Sequence, residues 1–173
     1  MSSAAAEELV TIVDRDNNVT GSATRRQMRA ERLPHRCSYI LVFNSAGQLL
    51  VQKRTETKDI YPGYWDPAAG GVMQFGETYE ENAEREVAEE MGIRGAPLTP
   101  LFDMWFEDER SAVWGRAFTC VWDGEVTPQV EEVQFVEAMT PSDVLRRAAA
   151  GERFTPDGLE VVRRYLALAP PSA

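Results

Sequence analysis

Three glutamates in one short segment are the residues of this chain best suited to chemistry. Glu86, Glu89 and Glu90 are three to four residues apart, so in a helix they share about a third of the circumference. At roughly 5 Å and an effective dielectric of ~20, two such charges repel by about 3 kcal/mol. Mg²⁺ prefers carboxylate oxygens and turns this repulsion into coordination. The spacing therefore predicts a metal site.

A solvated acidic helix surface is the alternative explanation for the cluster, since exposed like charges cost only a few tenths of a kcal/mol. The surrounding residues favour the site. Gly71 is followed after five residues by Glu77 and, after seven more, by Arg-Glu-Val-x-Glu-Glu-x-Gly-Ile over residues 85–93. This pattern resembles the Nudix box at every fixed position, which is a far more specific signal than a short glycine motif.

The resemblance to Nudix hydrolases implies a role for each of the acidic residues. Glu86 and Glu90 match positions that ligate the metal, Glu89 commonly joins them, and one of the three can act as the catalytic base. A backbone carbonyl near Gly71 is a further candidate ligand. The implied cofactor is Mg²⁺, with Mn²⁺ as a possible substitute, and the implied substrate is a small molecule with a diphosphate linkage.

Other residues are predicted to support the site or to bind the substrate. Glu77 and Arg85 resemble the pair that braces the loop against the helix in this family. A basic group before the box is suited to holding a diphosphate by charge and hydrogen bonds, although solvated strand ends explain it equally well; it comprises Lys53, Arg54 and Lys58. The candidates for a catalytic base outside the box are acidic residues in predicted loops. They are Glu107, Asp108, Glu131 and Glu132.

Residues 49–65 resemble type I isopentenyl-diphosphate isomerases, a branch of the Nudix superfamily. His35, the single histidine, falls where that branch has a metal ligand, although a hydrogen-bonded structural role is the alternative. The isomerase cysteine would fall at Gly70 and its next metal histidine at Val72, while residues 111–118 lack the later catalytic acid. We therefore expect a hydrolase of the isomerase-like group. An isomerase-type enzyme and a non-catalytic diphosphate-binding module are the alternatives.

The composition predicts one domain and a small-molecule ligand. With 173 residues, 43% of them hydrophobic, the chain suits a single domain over 9–168, with flexible ends at 1–8 and 169–173. A net charge of −10 opposes binding to long nucleic acid. Without an apolar run of about 18 residues or a signal peptide, we expect a cytoplasmic protein with no membrane partner. A homodimer is possible.

The order of the predicted elements indicates the fold class. Apolar runs predict strands, and Thr78 with Glu81 forms a capping box for a helix that ends at Gly92. Strands and helices follow no regular βαβ repeat, which indicates an α+β class with a mixed sheet. The resemblance implies the Nudix α-β-α sandwich. The predicted strands are 9–13, 19–23, 38–43, 48–53, 66–70, 101–106, 112–122 and 133–137, and the other helices are 24–31, 143–150 and 157–168.

Overall fold

The computed structural model describes residues 3–168, which form eight strands and five helices. The strands are Leu9–Val13 (β1), Val19–Thr24 (β2), His35–Phe43 (β3), Leu49–Arg54 (β4), Trp65–Asp66 (β5), Thr99–Glu107 (β6), Ala112–Val121 (β7) and Val133–Met139 (β8). The helices are Ser3–Ala6 (α1), Arg25–Glu31 (α2), Tyr79–Met91 (α3), Pro141–Ala149 (α4) and Pro156–Leu168 (α5).

The eight strands join in one mixed sheet around β3. Strands β3 and β7 run parallel along their whole length, from His35 opposite Val113 to Phe43 opposite Val121. The pairs β1–β2, β1–β3, β3–β4, β4–β5, β4–β8 and β6–β7 are antiparallel. The α+β class with a mixed sheet is therefore confirmed.

Helices cover both faces of the sheet because side chains of β3 alternate between them. Tyr39 and Leu41 pack in one cluster with Val144 of α4 and Val161 of α5. Their neighbours in β3 point the other way and pack with apolar residues of α3 and β7; this second cluster includes Ile40, Val42, Ala83, Val87, Met91 and Phe118. The implied α-β-α arrangement is present.

Helix α3 has both ends that its sequence predicts. The Thr78 hydroxyl accepts a hydrogen bond from the Glu81 N–H at 3.1 Å, and the Glu81 carboxylate accepts one from the Thr78 N–H at 3.2 Å. Gly92 ends the helix in the left-handed region, at φ 70°. With Ala83, Val87 and Met91 buried against the sheet, the acidic residues of the helix lie beside this apolar stripe.

The predicted strand over 66–70 is wrong for most of its length, because only Trp65–Asp66 is regular strand. The segment 67–72 instead runs beside β3 as a loop. The Ile40 N–H donates to the Ala69 carbonyl at 2.7 Å, and the Ser38 N–H donates to the Gly71 carbonyl at 3.2 Å. Gly70, with φ +133°, interrupts the regular pairing between these two bonds.

The structure describes residues 3–8 of the segment 1–8, whose flexibility stays a prediction. Residues 3–6 form a helical turn, Ala6 is buried, and the Glu8 carboxylate lies 3.0 Å from the Arg25 guanidinium. Residues 1–2 and the predicted flexible segment 169–173 lie outside the described part of the chain. No helix within residues 3–168 is both long and apolar enough to cross a membrane.

Candidate active site

A cleft of about 650 Å³ collects most of the side chains that the sequence singles out. Its volume is in the usual range for small-molecule sites. Residues of β3, the loop before β5, the loop 67–72, α3 and the loop before β8 line it. The predicted site residues that line this cleft are His35, Arg54, Lys58, Gly71, Arg85, Glu86, Glu89, Glu90, Glu131 and Glu132.

Glu86 and Glu90 are two buried acids whose negative charges repel each other. Each is only 9% exposed. The Glu90 carboxylate accepts hydrogen bonds from the Gln52 side-chain amide and the Gly70 N–H, both at 3.2 Å. Burial, followed by the charge of Glu86, raises the pKa of Glu90 to about 8, and burial also raises the pKa of Glu86. The pair therefore favours a bound cation or a shared proton.

Arg85 holds the acidic face in place. Its guanidinium lies 2.8 Å from the Glu77 carboxylate, which also accepts a hydrogen bond from the Gln74 N–H at 2.9 Å, so the predicted bracing contact is present. The same guanidinium lies 3.1 Å from both Glu86 and Glu89. Glu89 is 48% exposed at its side chain. Among residues 3–168, no three acidic, histidine or cysteine side chains already converge as a metal site.

The residues present fit a divalent cation in their chemistry. A Cβ at Gly71 would lie 2.9 Å from the Glu86 carboxyl group, so this glycine allows the backbone to lie beside the acid. Two buried carboxylates of like charge and a backbone carbonyl offer the hard oxygen ligands that Mg²⁺ and Mn²⁺ prefer. The Gly71 carbonyl keeps one lone pair free, because a carbonyl oxygen has two and the Ser38 N–H uses one.

Two of the three predicted basic residues reach the cleft. Arg54 lies 3.3 Å from Asp66 and donates to the Ile60 carbonyl at 2.7 Å, while Lys58 forms an ion pair with Glu132. Burial lowers the pKa of Lys58, and the nearby charge of Glu90 opposes that shift. Lys58 and Glu90 both line the cleft, so the amine and the acidic face share one cavity.

Lys53 does not line the cleft, and its role in binding the diphosphate stays a prediction. Side chains alternate along β4. Gln52 points toward Glu90 on the α3 side, and the Lys53 ammonium instead lies 5.0 Å from the centre of the Trp65 ring. The Trp65 ring belongs to the cluster beneath α4 and α5.

Two arginines of α2 also line the cleft, although no sequence pattern selects them. Arg25 pairs with Glu8, and Arg29 pairs with Asp59 at 3.2 Å. Both lie in a short helix far from the box in sequence. Arg25, Glu86 and Lys58 all line the cleft, so this guanidinium shares the cavity with both the acidic and the basic residues.

His35 is a buried, neutral imidazole. It is 1% exposed, and its Nδ1 lies 3.0 Å from the Leu33 carbonyl. Burial, with the charge of Arg29, lowers the pKa of His35 to about 3. The hydrogen bond at Nδ1 is consistent with a structural role for His35. Metal binding by its other nitrogen stays a prediction.

On the α5 side, the cleft carries further acids that the sequence did not indicate. The Tyr39 hydroxyl donates to Asp157 at 2.9 Å, and the Thr155 hydroxyl donates to Asp66 at 3.1 Å. Burial raises the pKa of Asp66 to about 6 and also raises that of Asp157. Asp66 and Asp157 are more than 90 positions apart along the chain, and only the fold brings them together.

The buried acids beside a glycine-rich loop, on a mixed sheet with helices on both faces, define a hydrolase of the Nudix class. Residues 33–158 match the family model described as the NUDIX domain, and the chain belongs to the Nudix family. Nudix hydrolases use divalent metal ions and act on small diphosphate substrates. Arg25 and Arg29 precede the matched region.

Named relatives and solved structures agree with this assignment. A Nudix hydrolase of Yersinia pestis is 46% identical over 163 residues, which cover 94% of this chain and 88% of the relative. The Nudix hydrolase YfcD of Escherichia coli is 43% identical, with 94% of this chain and 88% of the relative covered. The crystal structure of DR0079 from Deinococcus radiodurans has a TM-score of 0.80 and 29% identity, with coverage of 91% and 98%.

The raised pKa of Glu90 predicts how the stability of the metal-free protein depends on pH. Between the unfolded value of 4.5 and the folded value of about 8, the folded chain holds a proton that the unfolded chain has released. This contribution to stability is complete below 4.5 and is lost as the pH rises through 8. In EDTA, we therefore expect the melting temperature of Glu90→Gln, measured relative to that of the wild type, to rise between pH 5 and pH 8.5. A constant difference between the two melting curves would contradict the assignment.

Proposed function

We propose that this protein is a Mg²⁺-dependent pyrophosphohydrolase that cleaves a diphosphate linkage in a small nucleoside diphosphate derivative or related organic diphosphate. The observation that carries the proposal is the placement of buried Glu86 and Glu90 in the same cleft as Lys58, Arg54 and Arg25. Carboxylates suit the metal, and the cations suit the phosphate oxygens. The same ligands also suit Mn²⁺, which is expected to replace Mg²⁺ as the cofactor.

Each of these residues has a definite task in the proposed reaction. Glu86, Glu90 and the Gly71 carbonyl would hold the cation, which would supply charge neutralisation and activate a water for attack at phosphorus. Arg85 positions Glu86 and Glu89, and Glu77 fixes Arg85 against the loop. Glu89, half exposed at the cleft, is placed to accept a proton from the attacking water.

The basic residues bind and orient the diphosphate. Arg54, Lys58, Arg25 and Arg29 are each paired with an acid in the structure, so a phosphate competes with those acids for the cations. Glu132 is released when Lys58 turns to the substrate, which makes it a second candidate base. Charge-assisted hydrogen bonds to phosphate are among the stronger polar contacts in proteins.

The proposal includes membership of the isomerase-like group within the Nudix family. It does not include isomerase activity. Residues 33–158 carry the hydrolase box, while Gly70 and Val72 stand where the isomerase cysteine and histidine would be. Double-bond migration needs an acid and a base on either side of the carbon skeleton. Residues 111–118 offer no acid for that role.

A substrate screen tests the proposed function. The purified protein is incubated with Mg²⁺ and nucleoside di- and triphosphates, nucleotide sugars, dinucleotides or prenyl diphosphates. Released phosphate and nucleotide are quantified, and proton NMR follows double-bond migration. We expect hydrolysis of at least one class, abolished by EDTA and restored by Mg²⁺ or Mn²⁺. Isomerisation without phosphate release, or calorimetric binding of every class without turnover, would overturn the proposal.

A further inference from the structure

One uncharged residue of α3 lies in the same row as the two buried acids. Asn82, Glu86 and Glu90 follow one another at four-residue spacing, so they share one face of the helix. The Asn82 residue is 0% exposed, and it does not line the cleft. A side chain without exposed surface reaches no ligand. Any effect of Asn82 on the chemistry must therefore pass through its hydrogen-bond partners.

The side-chain amide of Asn82 joins the loop 67–72 to β3. Its Nδ2 donates to the Val72 carbonyl at 3.2 Å, and its Oδ1 accepts a hydrogen bond from the Ser38 hydroxyl. Because the Val72 carbonyl can only accept, the orientation of the amide is fixed and the hydroxyl must be the donor. Ser38 is 1% exposed, so water does not compete for these bonds. We call the side chains of Ser38 and Asn82 the buried bridge.

Consecutive residues of the loop meet the row on α3 one by one. The Gly70 N–H donates to the Glu90 carboxylate at 3.2 Å. A Cβ on the next residue, Gly71, would lie 2.9 Å from the Glu86 carboxyl group. The residue after that, Val72, accepts the bond from the buried bridge. The bridge therefore sets one end of this alignment, and the bond between Gly70 and Glu90 sets the other.

The loop carbonyl that is a candidate metal ligand is held from two directions. The Ser38 N–H donates to the Gly71 carbonyl at 3.2 Å, and the Ser38 hydroxyl acts through Asn82 on the Val72 carbonyl. The two peptide planes meet at the Val72 Cα, so holding both carbonyls leaves little freedom to rotate either plane. The unused lone pair of the Gly71 carbonyl thus keeps a set direction beside α3.

We propose that Ser38 and Asn82 are positioning residues for the metal site. The buried bridge holds the Gly71 carbonyl in place relative to Glu86 and Glu90, so that the three oxygen ligands face one another before a cation arrives. The inference rests on the proposed function for the presence of that metal. Removing the hydrogen-bond partners of metal ligands typically weakens metal binding about tenfold to a hundredfold, and the bridge acts one bond further away.

A Mn²⁺ titration without substrate tests the bridge apart from turnover. The EPR signal of the free ion gives the Kd of the wild type, of Ser38→Ala and of Asn82→Ala. We expect the Kd to rise about fivefold or more in each variant. The double variant is expected to match Asn82→Ala alone, because the Ser38 hydroxyl acts through Asn82 and the two losses are then not additive.

Tyr79→Phe is the matched control for the loss of a hydrogen bond. Tyr79 also belongs to α3, is buried and does not line the cleft, and its hydroxyl donates to the Trp114 carbonyl at 3.0 Å. If the bridge only stabilised the fold, all three single variants would melt earlier and would keep the wild-type Kd for Mn²⁺. Positioning predicts a raised Kd in the two bridge variants and an unchanged one in Tyr79→Phe.

Amide hydrogen exchange in the metal-free protein reports the position of the loop without any metal. We expect the Gly70 N–H, followed by NMR, to exchange about tenfold faster in Ser38→Ala and in Asn82→Ala than in the wild type, because the loop then opens more often. In Tyr79→Phe, the exchange rate of this amide is expected to stay at the wild-type value. Melting curves identify the variants that fold.

The outcomes separate this inference from the proposed function. A wild-type Kd for Mn²⁺ in a folded bridge variant, or a change no larger than that of Tyr79→Phe, would overturn the positioning role alone. If neither bridge variant folds, the wild type decides: a Gly70 N–H that exchanges as fast as in an unstructured peptide overturns the role, and a protected one supports it. If the wild type binds no Mn²⁺, the proposed function fails at its metal, while the exchange rates still show whether the bridge holds the loop.

Discussion

Replacing Glu90 with glutamine is expected to lower Mg²⁺-dependent turnover by about a hundredfold to a thousandfold, the range seen when one electrostatic contact to a transition state is lost. Glu90 is buried, and its carboxylate accepts hydrogen bonds from the Gln52 amide and the Gly70 N–H, so glutamine keeps the shape of the site and removes its charge. The measurement is phosphate release at saturating Mg²⁺ on the substrate that the screen identifies.

The stability of this variant is expected to move in the opposite direction. Because burial and Glu86 both disfavour the charged form of Glu90, its neutral replacement should melt at the same temperature as the metal-free wild type or higher at pH 8. Glu84→Gln is the matched control, since Glu84 is exposed on the same helix and outside the cleft. Turnover of Glu90→Gln equal to that of Glu84→Gln would remove Glu90 from the metal site.

The local parts of this structure could be predicted from the sequence because short-range physical chemistry fixes them. The capping box at Thr78 and Glu81 and the left-handed Gly92 set both ends of α3 within their own segment. The predicted strands 38–43 and 48–53 are likewise close in sequence, and they form β3 and β4, which pair antiparallel. The spacing of Glu86 and Glu90 then places both acids beside the buried stripe.

The charge balance of the acidic face could not be predicted from the cluster alone. Arg85 precedes Glu86 in sequence, and one guanidinium contacts Glu77, Glu86 and Glu89 together. That contact depends on where the loop before α3 returns to the helix. The position of Lys53 outside the cleft has a simpler cause, because strand alternation places neighbouring residues on opposite faces. Of the three predicted diphosphate-binding residues, Arg54 and Lys58 line the cleft.

The remaining site residues come from segments that the topology alone unites. Arg25 belongs to α2, Asp66 to β5 and Asp157 to α5, so no pattern within one segment links them. Tyr39 and Asp157 are 118 positions apart, yet their side chains share a hydrogen bond. Each of these residues, taken singly, has an ordinary explanation as a surface charge or a helix N-terminal acid, which is why the sequence did not single them out.

Gly70→Ala is expected to destabilise the protein by about 3 kcal/mol or more, through overpacking against backbone and strain at positive φ. An added Cβ would lie 2.0 Å from the Ser38 carbonyl oxygen, a backbone atom of β3 that cannot turn aside. The segment would have to move away from β3, which breaks the bond from the Gly70 N–H to Glu90. A fall in melting temperature of roughly 6–12 °C, with a matching loss of turnover, is the expected result.

Gly47→Ala is the control that separates the cost of a positive φ from the cost of steric contact by the added Cβ. Gly47 also has a positive φ, +77°, but a Cβ there meets no atom within 4 Å, so we expect a loss of only about 1 kcal/mol. Equal losses in the two variants would mean that the segment 69–72 does not press against β3. If the difference is found, it bears on chemistry as well. The isomerase cysteine would need a Cβ at this same position, and the backbone that brings Gly70 to Glu90 leaves no room for one.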